Sequence, residues 1–312
     1  MKAGRIVATV VFSVVMVFLC IVLGLELFRK NHAGNANFTW QYASYEMILE
    51  KEFPASDITE LSIFYGMNSN DIYIFEHSEA TVIVREYLSF VPQESEISTV
   101  TLKNHSLEIR GGRRNSHSGW FFSSGYRGGY TEIWLPEGWM GSLTAETLSG
   151  DVIVDQTVFA GDVLEITTVS GDIKIPFLSG RCDISTVSGD VRLGSVTGSF
   201  TISSTSGDID ISSGSCSGWA ETVSGDVKMN FAELTGDLDV VTTSGDVVLS
   251  LSGEDSFDFR YESTSGSCRT FFDDKLSFNR RETEAWGNYG ETVDKKIQIS
   301  TVSGDLRIME RK

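Results

Sequence analysis

An aspartate recurs in this sequence at a nearly constant interval, as the last residue of a Ser-Gly-Asp tripeptide. The regular copies are Asp151, Asp172, Asp190, Asp208, Asp226 and Asp246, and a later copy is Asp305. Such a row of carboxylates could bind a row of Ca²⁺ ions, which prefer several oxygen ligands. It could also cap turns, with each carboxylate accepting a hydrogen bond from a turn N–H. One carboxylate per repeat is few for calcium, so we favour capping.

A hydroxyl residue stands four positions before each aspartate or its equivalent. The members are Thr147, Thr168, Thr186, Ser204, Thr222, Thr242, Ser263 and Thr301. Each lies an even number of residues from the apolar positions before the turn, and so on the same side of the strand as they do. This predicts an inward-facing row with a structural role. Ice-binding proteins also use threonine rows, but those rows must face outward.

Two long segments, 111–129 and 269–293, interrupt the repeat and carry aromatic and basic residues in an acidic chain. The first contains the candidate binding residues Arg113, Arg114, Trp120, Phe121, Phe122, Tyr126 and Arg127. Long loops on a rigid scaffold often carry function, which indicates ligand or partner recognition. A solenoid must also cover its terminal edges, so capping is the other interpretation and the one that we favour.

The sequence contains no recognisable catalytic constellation. The histidines His32, His77, His105 and His117 all precede the regular repeat, and none is paired by spacing. Cys182 and Cys268 occupy apolar positions, which predicts inert buried thiols. We therefore expect a protein that is not an enzyme and needs neither a cofactor nor a metal ion. We do not expect a disulfide among the cysteines of the repeat.

The residues around each aspartate predict the strands that position it. Val191 and Leu193 follow one and three residues after Asp190, and Ile184 and Cys182 stand four and six residues before Ser188. Every second residue is thus apolar on both sides of the turn, which is typical of strands. A second glycine lies midway through each repeat, and we attribute both glycines to turns with positive φ.

Two strands and two turns make one coil. The sequence therefore predicts an all-β fold, a parallel β-solenoid (single-stranded β-helix) with 18–21 residues per coil. In that fold Val191, Ile209 and Val227 are vertical neighbours inside a common core.

The predicted organisation has three parts. They are an N-terminal transmembrane anchor with its flanks (1–30), a stalk or lead-in (31–56) and the β-solenoid (57–312), with regular repeats over 141–270. Residues 57–135 look like divergent coils of the same kind. Residues 45–53 are either a first strand or a short helical cap.

The segment Ile6–Leu25 contains no charged residue, and as a helix it would span about 30 Å of hydrocarbon. It is longer than the apolar run of a cleaved signal peptide, about 7–15 residues, so we expect a retained anchor. Lys and Arg residues are balanced on its two sides and do not decide the orientation. Because the N-terminal tail is short, we place the C-terminal body outside the cytoplasm, on a single-pass protein of the cell membrane.

The motif T-V-S-G-D-(V/I)-x-(V/I/L) occurs at Thr168–Ile175, Thr186–Leu193, Thr222–Met229 and Thr301–Ile308. It resembles the repeat of a bacterial candidate-adhesin domain family of unknown function, which includes LiaG-like members. Phe53–Ile63 and Thr131–Pro136 are also similar to that family. The LiaG-like members are encoded beside cell-envelope stress regulators. The resemblance implies a single-stranded β-helix on a membrane anchor or signal. It brings no catalytic residues.

The net charge of −18 argues against a nucleic-acid partner, because phosphate binding needs clustered positive charge. We expect a surface-presented, adhesin-like or envelope-associated binding protein without catalysis. Its expected partners are the membrane, through the N-terminal helix, and an envelope polymer or surface protein. One alternative is a carbohydrate-active β-helix enzyme, which would need a cleft with clustered acids and bases. Another is an accessory protein of an envelope-stress response.

Overall fold

The structure, a computed structural model, describes residues 45–66, 70–113, 128–155, 158–159, 162–280, 283–291 and 293–311. The described residues all belong to one unit that begins at Ser44. The predicted anchor Ile6–Leu25 lies outside them. Within the described ranges, no helix is long and apolar enough to cross a bilayer.

Strands dominate the described part of the chain, where they join into one sheet of 22 strands. They are β1 (Glu46–Pro54), β2 (Glu60–Phe64), β3 (Asn70–His77), β4 (Thr81–Leu88), β5 (Thr99–Lys103), β6 (Ser106–Arg110), β7 (Gly129–Pro136), β8 (Ser142–Glu146), β9 (Val152–Val154), β10 (Val158–Phe159), β11 (Val163–Thr167), β12 (Ile173–Ser185), β13 (Val191–Ser203), β14 (Ile209–Thr222), β15 (Val227–Thr242), β16 (Val247–Leu251), β17 (Phe257–Glu262), β18 (Cys268–Thr270), β19 (Leu276–Phe278), β20 (Glu284–Tyr289), β21 (Lys296–Ser300) and β22 (Leu306–Glu310). Short 3-10 turns occupy Ala55–Asp57, Glu94–Glu96 and Asp273–Lys275.

The central coils stack in parallel and in register, as the repeat predicts. Val191 lies beside Ile209, and Ile209 lies beside Val227, on the adjacent strands β13, β14 and β15. All three side chains are buried in one core. Burial of an aliphatic side chain of this size stabilises the fold by roughly 1.5–3 kcal/mol, so the alternating apolar residues hold the coils together. The solenoid prediction is confirmed for the described residues.

The order of the coils differs from the order of the chain at both ends of the solenoid. The coil formed by β2 and β3 lies between the coil of β6 and β7 and the coil of β8 and β9. Likewise, β21 and β22 lie between β15–β16 and β17–β18. At each end, the terminal segment of the chain thus folds back and forms the second-to-last coil of the stack.

Antiparallel strands close both ends. At the C-terminal end β20 pairs with β17 and β19 pairs with β20, while Phe272 and Tyr289 pack on Phe257 with ring centroids 5.4 Å away in each case. The capping interpretation is thus confirmed for the described part of segment 269–293. Such strands use the open hydrogen-bonding edge that would otherwise pair with another chain.

At the N-terminal end β4 pairs with β7, β1 with β4 and β5 with β6, all antiparallel. The expectation that 57–135 consists only of divergent coils is therefore wrong for β4 and β5. Residues 45–53, which the sequence leaves open between strand and helix, fall almost entirely in strand β1 (Glu46–Pro54). This strand belongs to the sheet although it falls within the predicted stalk.

The glycine of each Ser-Gly-Asp corner is required by close backbone packing. A Cβ atom on Gly207 would lie 1.9 Å from the carbonyl oxygen of Gly189 in the neighbouring coil. Positive φ angles occur instead at glycines such as Gly180 and Gly198, midway through the repeat. The attribution of the corner glycines to positive φ is therefore wrong, since coil-to-coil approach excludes any side chain at these positions.

Candidate functional site

The predicted aspartate row forms a continuous hydrogen-bonded ladder at the Ser-Gly-Asp corners. Each carboxylate accepts a hydrogen bond from the backbone N–H of the aspartate in the next coil. Asp190 Oδ1 accepts from the Asp208 amide at 3.0 Å, and Asp208 Oδ1 accepts from the Asp226 amide at 2.8 Å. The ladder starts at Asp71 and ends where Asp305 accepts from the Ser267 amide. Turn capping is confirmed, with the donor in the adjacent coil.

Basic side chains offset the repulsion between neighbouring carboxylates of the ladder. The guanidinium of Arg192 lies 3.3 Å from Asp172 and 2.6 Å from Asp190. Hydrogen bonds from the amide and hydroxyl of Ser267 hold the pKa of Asp305 below its usual value. No group of three or more Asp, Glu, His or Cys side chains among the described residues is placed to bind a metal ion. Calcium binding by the ladder, the alternative that the sequence analysis disfavours, stays untested.

The hydroxyl row faces the interior and closes each corner from inside. Thr186 Oγ1 accepts a hydrogen bond from the Gly189 amide at 3.0 Å, and Thr222 Oγ1 accepts one from the Gly225 amide at 3.1 Å. Both threonines are buried. The prediction of an inward structural row is confirmed.

Most of the predicted binding loop lies outside the residues that the structure describes. Arg113 is described, and its amide donates to the carbonyl oxygen of Ser95 at 2.7 Å. The other six predicted residues lie outside the described residues: Arg114, Trp120, Phe121, Phe122, Tyr126 and Arg127. Recognition by this loop stays a prediction.

A cluster of aromatic side chains covers the outer face of the N-terminal coils, on strands that sequence reasoning treats only as scaffold. We call this cluster the aromatic surface; its members are Tyr45, Tyr73, Phe75, Tyr87, Tyr130 and Trp134. The rings of Phe75 and Trp134 stack with centroids 4.6 Å apart, as do those of Tyr87 and Tyr130. Cross-strand ring pairs of this kind stabilise a sheet by about 0.5–1.5 kcal/mol each.

Alternation places these rings outside. On β3, Ile72 and Ile74 point into the core while Tyr73 and Phe75 point outward. The rings stay partly exposed, and Tyr45 at the rim is 39% exposed. The sequence does contain a signal for the aromatic surface. Aromatic residues occupy the outward-facing positions of β3 and β7, where a strand with only a structural role would carry polar residues.

Polar groups lie among the rings. The carboxylate of Glu132 accepts hydrogen bonds from the indole N–H of Trp134 at 3.1 Å and from the hydroxyl of Tyr87 at 3.4 Å. The guanidinium of Arg85 lies over the Trp134 ring at 5.7 Å. Burial, helped by the charge of Glu132, raises the pKa of Tyr87 and Tyr130, so both hydroxyls stay protonated donors. The surface can thus contact an apolar ligand face and hydrogen-bond its polar edge.

The cysteines of the repeat offer no nucleophile. Cys182, Cys216 and Cys268 are free and buried. Burial raises the pKa of Cys216 and of Cys268 to about 12 and also raises that of Cys182. Because the thiolate is the reactive form, these thiols are inert near neutral pH.

Comparison with known proteins identifies a family match over most of the chain. The model of the Toastrack DUF4097 family matches residues 58–309. No curated protein matches the chain significantly. The family match confirms the resemblance to a domain family of unknown function, while the LiaG-like affiliation stays a prediction.

Three solved structures show a distant similarity. A candidate adhesin of Bacteroides fragilis is 12% identical with a TM-score of 0.43, over 86% of this chain and 99% of that chain. A candidate adhesin of Parabacteroides distasonis is 11% identical with a TM-score of 0.40, over 86% and 98%. A candidate cell adhesion protein of Clostridium sporogenes is 9% identical with a TM-score of 0.26, over 86% and 99%. Similarity at this level says nothing of ligands or partners.

Proposed function

This chain belongs to the Toastrack DUF4097 family, and we propose that it is a non-catalytic binding protein whose aromatic surface contacts a polysaccharide of the cell envelope. The observation that carries this proposal is the partly exposed set of rings on β3, β4 and β7. Contiguous apolar patches on a soluble surface commonly mark interaction sites. The family match itself supports the fold and assigns no ligand.

The chemistry of the surface favours a sugar polymer over a polyanion. The protein carries a net charge of −18, which repels nucleic acids and polyphosphates. A pyranose ring presents C–H groups on its faces and hydroxyl groups at its edge. The rings of Phe75 and Trp134 suit the first, and the Glu132 carboxylate and the tyrosine hydroxyls suit the second.

Membrane anchoring and exposure outside the cytoplasm are part of the same proposal. They rest on the uncharged segment Ile6–Leu25, whose length suits a single membrane span. An anchored solenoid on the outer side would hold the aromatic surface next to the envelope polymer.

Co-sedimentation of the detergent-solubilised full chain with insoluble peptidoglycan tests the proposal. We expect Trp134→Ala to weaken binding by about five- to thirty-fold, the range that corresponds to 1–2 kcal/mol. Trp286→Ala is the matched control, because Trp286 is 48% exposed and lies on β20 in the C-terminal cap. Equal binding of both variants and the wild type would refute the assignment of the aromatic surface.

The same incubation tests the absence of catalysis. We expect no release of reducing sugar ends from the peptidoglycan over the wild-type incubation. Release that depends on the protein would instead favour the carbohydrate-active enzyme.

A further inference from the structure

Glu132 lies at the centre of the aromatic surface, on the middle strand of the three that form most of it. It stands on the outward side of β7, two residues from Tyr130 and two from Trp134. Directly opposite it lie Tyr73 on β3 and Arg85 on β4. Five aromatic residues occupy neighbouring outward positions around it: Tyr73, Phe75, Tyr87, Tyr130 and Trp134. A single carboxylate is thus surrounded by aromatic side chains.

Only one of the two oxygen atoms of this carboxylate is engaged within the protein. Oε2 of Glu132 accepts both the indole N–H of Trp134, at 3.1 Å, and the hydroxyl of Tyr87, at 3.4 Å. Oε1 accepts no hydrogen bond from a described residue. It is also not one of the described oxygen atoms that are both buried and unpaired, so it reaches the surface. A donor from outside can therefore bind to Oε1.

The base opposite Glu132 does not neutralise it. Nε of Arg85 lies 3.4 Å from Oε2 of Glu50 on β1, and the guanidinium lies over the Trp134 ring at 5.7 Å. Within the described ranges no ion pair joins Arg85 to Glu132. Asp71, two residues before the Tyr73 position on the outward side of β3, adds another carboxylate. Three carboxylates therefore lie beside one guanidinium, and this part of the face is negative.

A carboxylate among aromatic rings is a favourable environment for an ammonium group. The face of an aromatic ring attracts a cation that lies within about 6 Å of its centre. A hydrogen bond from an ammonium group to a carboxylate is charge-assisted, and it is about twice as strong as one between neutral groups. A sugar hydroxyl gains neither of these two contributions in full. The net charge of −18 also favours the approach of a cationic ligand over that of an anionic one.

We propose, as an extension that rests on the function proposed above, that the polysaccharide bound by the aromatic surface carries free ammonium groups on its sugar units. One ammonium group donates to Oε1 of Glu132, and the C–H face of the sugar that bears it packs on a neighbouring ring. An N-acetylated sugar would bring a neutral and larger amide to the same place. The site therefore prefers an amino sugar to its N-acetylated form.

Titration calorimetry of the full chain in detergent with two hexamers of the same backbone tests the proposal. The first is the glucosamine hexamer, whose amines are protonated at about pH 6, and the second is chitohexaose, its uncharged N-acetylated form. We expect the glucosamine hexamer to bind about tenfold more tightly. Salt at about 0.15 M screens exposed charges that are more than about 8 Å apart, so the difference reports groups close to the ligand.

Two matched variants assign the preference to Glu132. Glu132→Gln keeps an oxygen acceptor for Trp134 and Tyr87 and removes the charge, so it should reduce the preference to less than about twofold. Glu165→Gln removes the same charge from an exposed position on β11, outside the aromatic surface, and should keep the tenfold preference. A preference that survives Glu132→Gln, or that Glu165→Gln reduces equally, would overturn the proposal.

A third variant and a third ligand keep the test valid should Glu132→Gln fold poorly. Tyr73→Leu removes the ring opposite Glu132 and keeps an apolar side chain, so it should reduce the preference to between about two- and fivefold. Hexalysine carries ammonium groups without sugar rings and should bind at least about tenfold more weakly than the glucosamine hexamer. Hexalysine that binds equally well would show a general cation site and overturn the assignment to an amino sugar.

The outcome for this proposal is separate from the outcome for the function on which it rests. Equal affinity for the two hexamers, or no binding of either, would overturn the assignment of an ammonium-bearing ligand. Peptidoglycan binding that still depends on Trp134 would in that case leave the proposed function standing. Peptidoglycan binding that Trp134→Ala does not weaken would instead refute the proposed function itself.

Discussion

Substitution of one corner glycine should destabilise the solenoid far more than the addition of a single methyl group suggests. In Gly207→Ala the new Cβ atom would stand 1.9 Å from the carbonyl oxygen and 2.6 Å from the carbonyl carbon of Gly189. Both atoms belong to the backbone, so no side-chain rotation relieves the overlap. The two coils would have to separate locally by more than 1 Å to restore an ordinary contact.

The cost follows from the hydrogen bonds at this corner. Separation lengthens the bond from the Asp208 amide to Asp190 (3.0 Å) and the bond from the Ser206 amide to Val187 (2.9 Å). At about 1 kcal/mol each, and with additional loss from strained packing, we expect a net destabilisation of about 2–3 kcal/mol. The lower conformational entropy of the unfolded alanine variant offsets about 0.4–1 kcal/mol of the gross loss.

Urea unfolding of the full chain in detergent, followed by far-ultraviolet circular dichroism, measures this difference. Gly236→Ala is the matched control, because its Cβ would meet only the side chain of Ser217, at 3.2 and 3.3 Å. We expect the control to unfold within about 1 kcal/mol of the wild type. Gly207→Ala and Gly236→Ala unfolding at the same urea concentration would refute the claim that close coil approach selects glycine.

Three further outcomes follow from the corners, from the coil order and from Glu221, which is 5% exposed and whose Oε2 atom has no hydrogen-bond partner among the described residues. Thr222→Val removes the acceptor of the Gly225 amide and should lower the free energy of unfolding by about 1–3 kcal/mol, whereas Thr201→Val, on the exposed face, should lower it little. A urea midpoint for Thr222→Val at or above that of Thr201→Val would contradict the inward structural role. Because burial raises the pKa of Glu221, the folded state binds its proton more tightly than the unfolded state does. The charged carboxylate therefore destabilises the fold at pH 7, and this destabilisation decreases as the pH falls toward 4.5. Glu221→Gln should thus unfold at higher urea than the wild type at pH 7 with a smaller gap near pH 4.5, and a lower midpoint at pH 7 would contradict the unsatisfied burial. Deletion of 294–312 removes the coil between β15–β16 and β17–β18, so limited proteolysis should digest the C-terminal cap of the truncated chain and spare that of the full chain.

The repeat itself was readable from the sequence because one coil is short and its apolar positions alternate strictly. Val191, Ile209 and Val227 share one position in the repeat, and stacking then follows from the need to bury them together. For the corner hydrogen bonds, the acceptor could be predicted from the sequence and the donor could not. The acceptor role of Asp208 follows from its place in a turn, but its donor in the next coil depends on the coil spacing.

The ends and the binding surfaces were harder to predict. Nothing in the local pattern of β21 and β22 says that they insert between earlier coils, since their alternation suits any position in the stack. The aromatic surface arises from side chains that the register brings together across strands. Tyr87 and Tyr130, for example, are neighbours only because β4 and β7 pair as they do.

Hydroxyl-radical footprinting of the full chain, with and without soluble peptidoglycan fragments, tests the proposed binding surface most directly, because it reports the exposure of individual aromatic side chains. We predict that oxidation of Trp134 and Tyr73 falls when the fragments are added, while oxidation of Trp286 in the C-terminal cap does not change. Unchanged oxidation of Trp134 and Tyr73 at fragment concentrations that saturate binding would contradict the account.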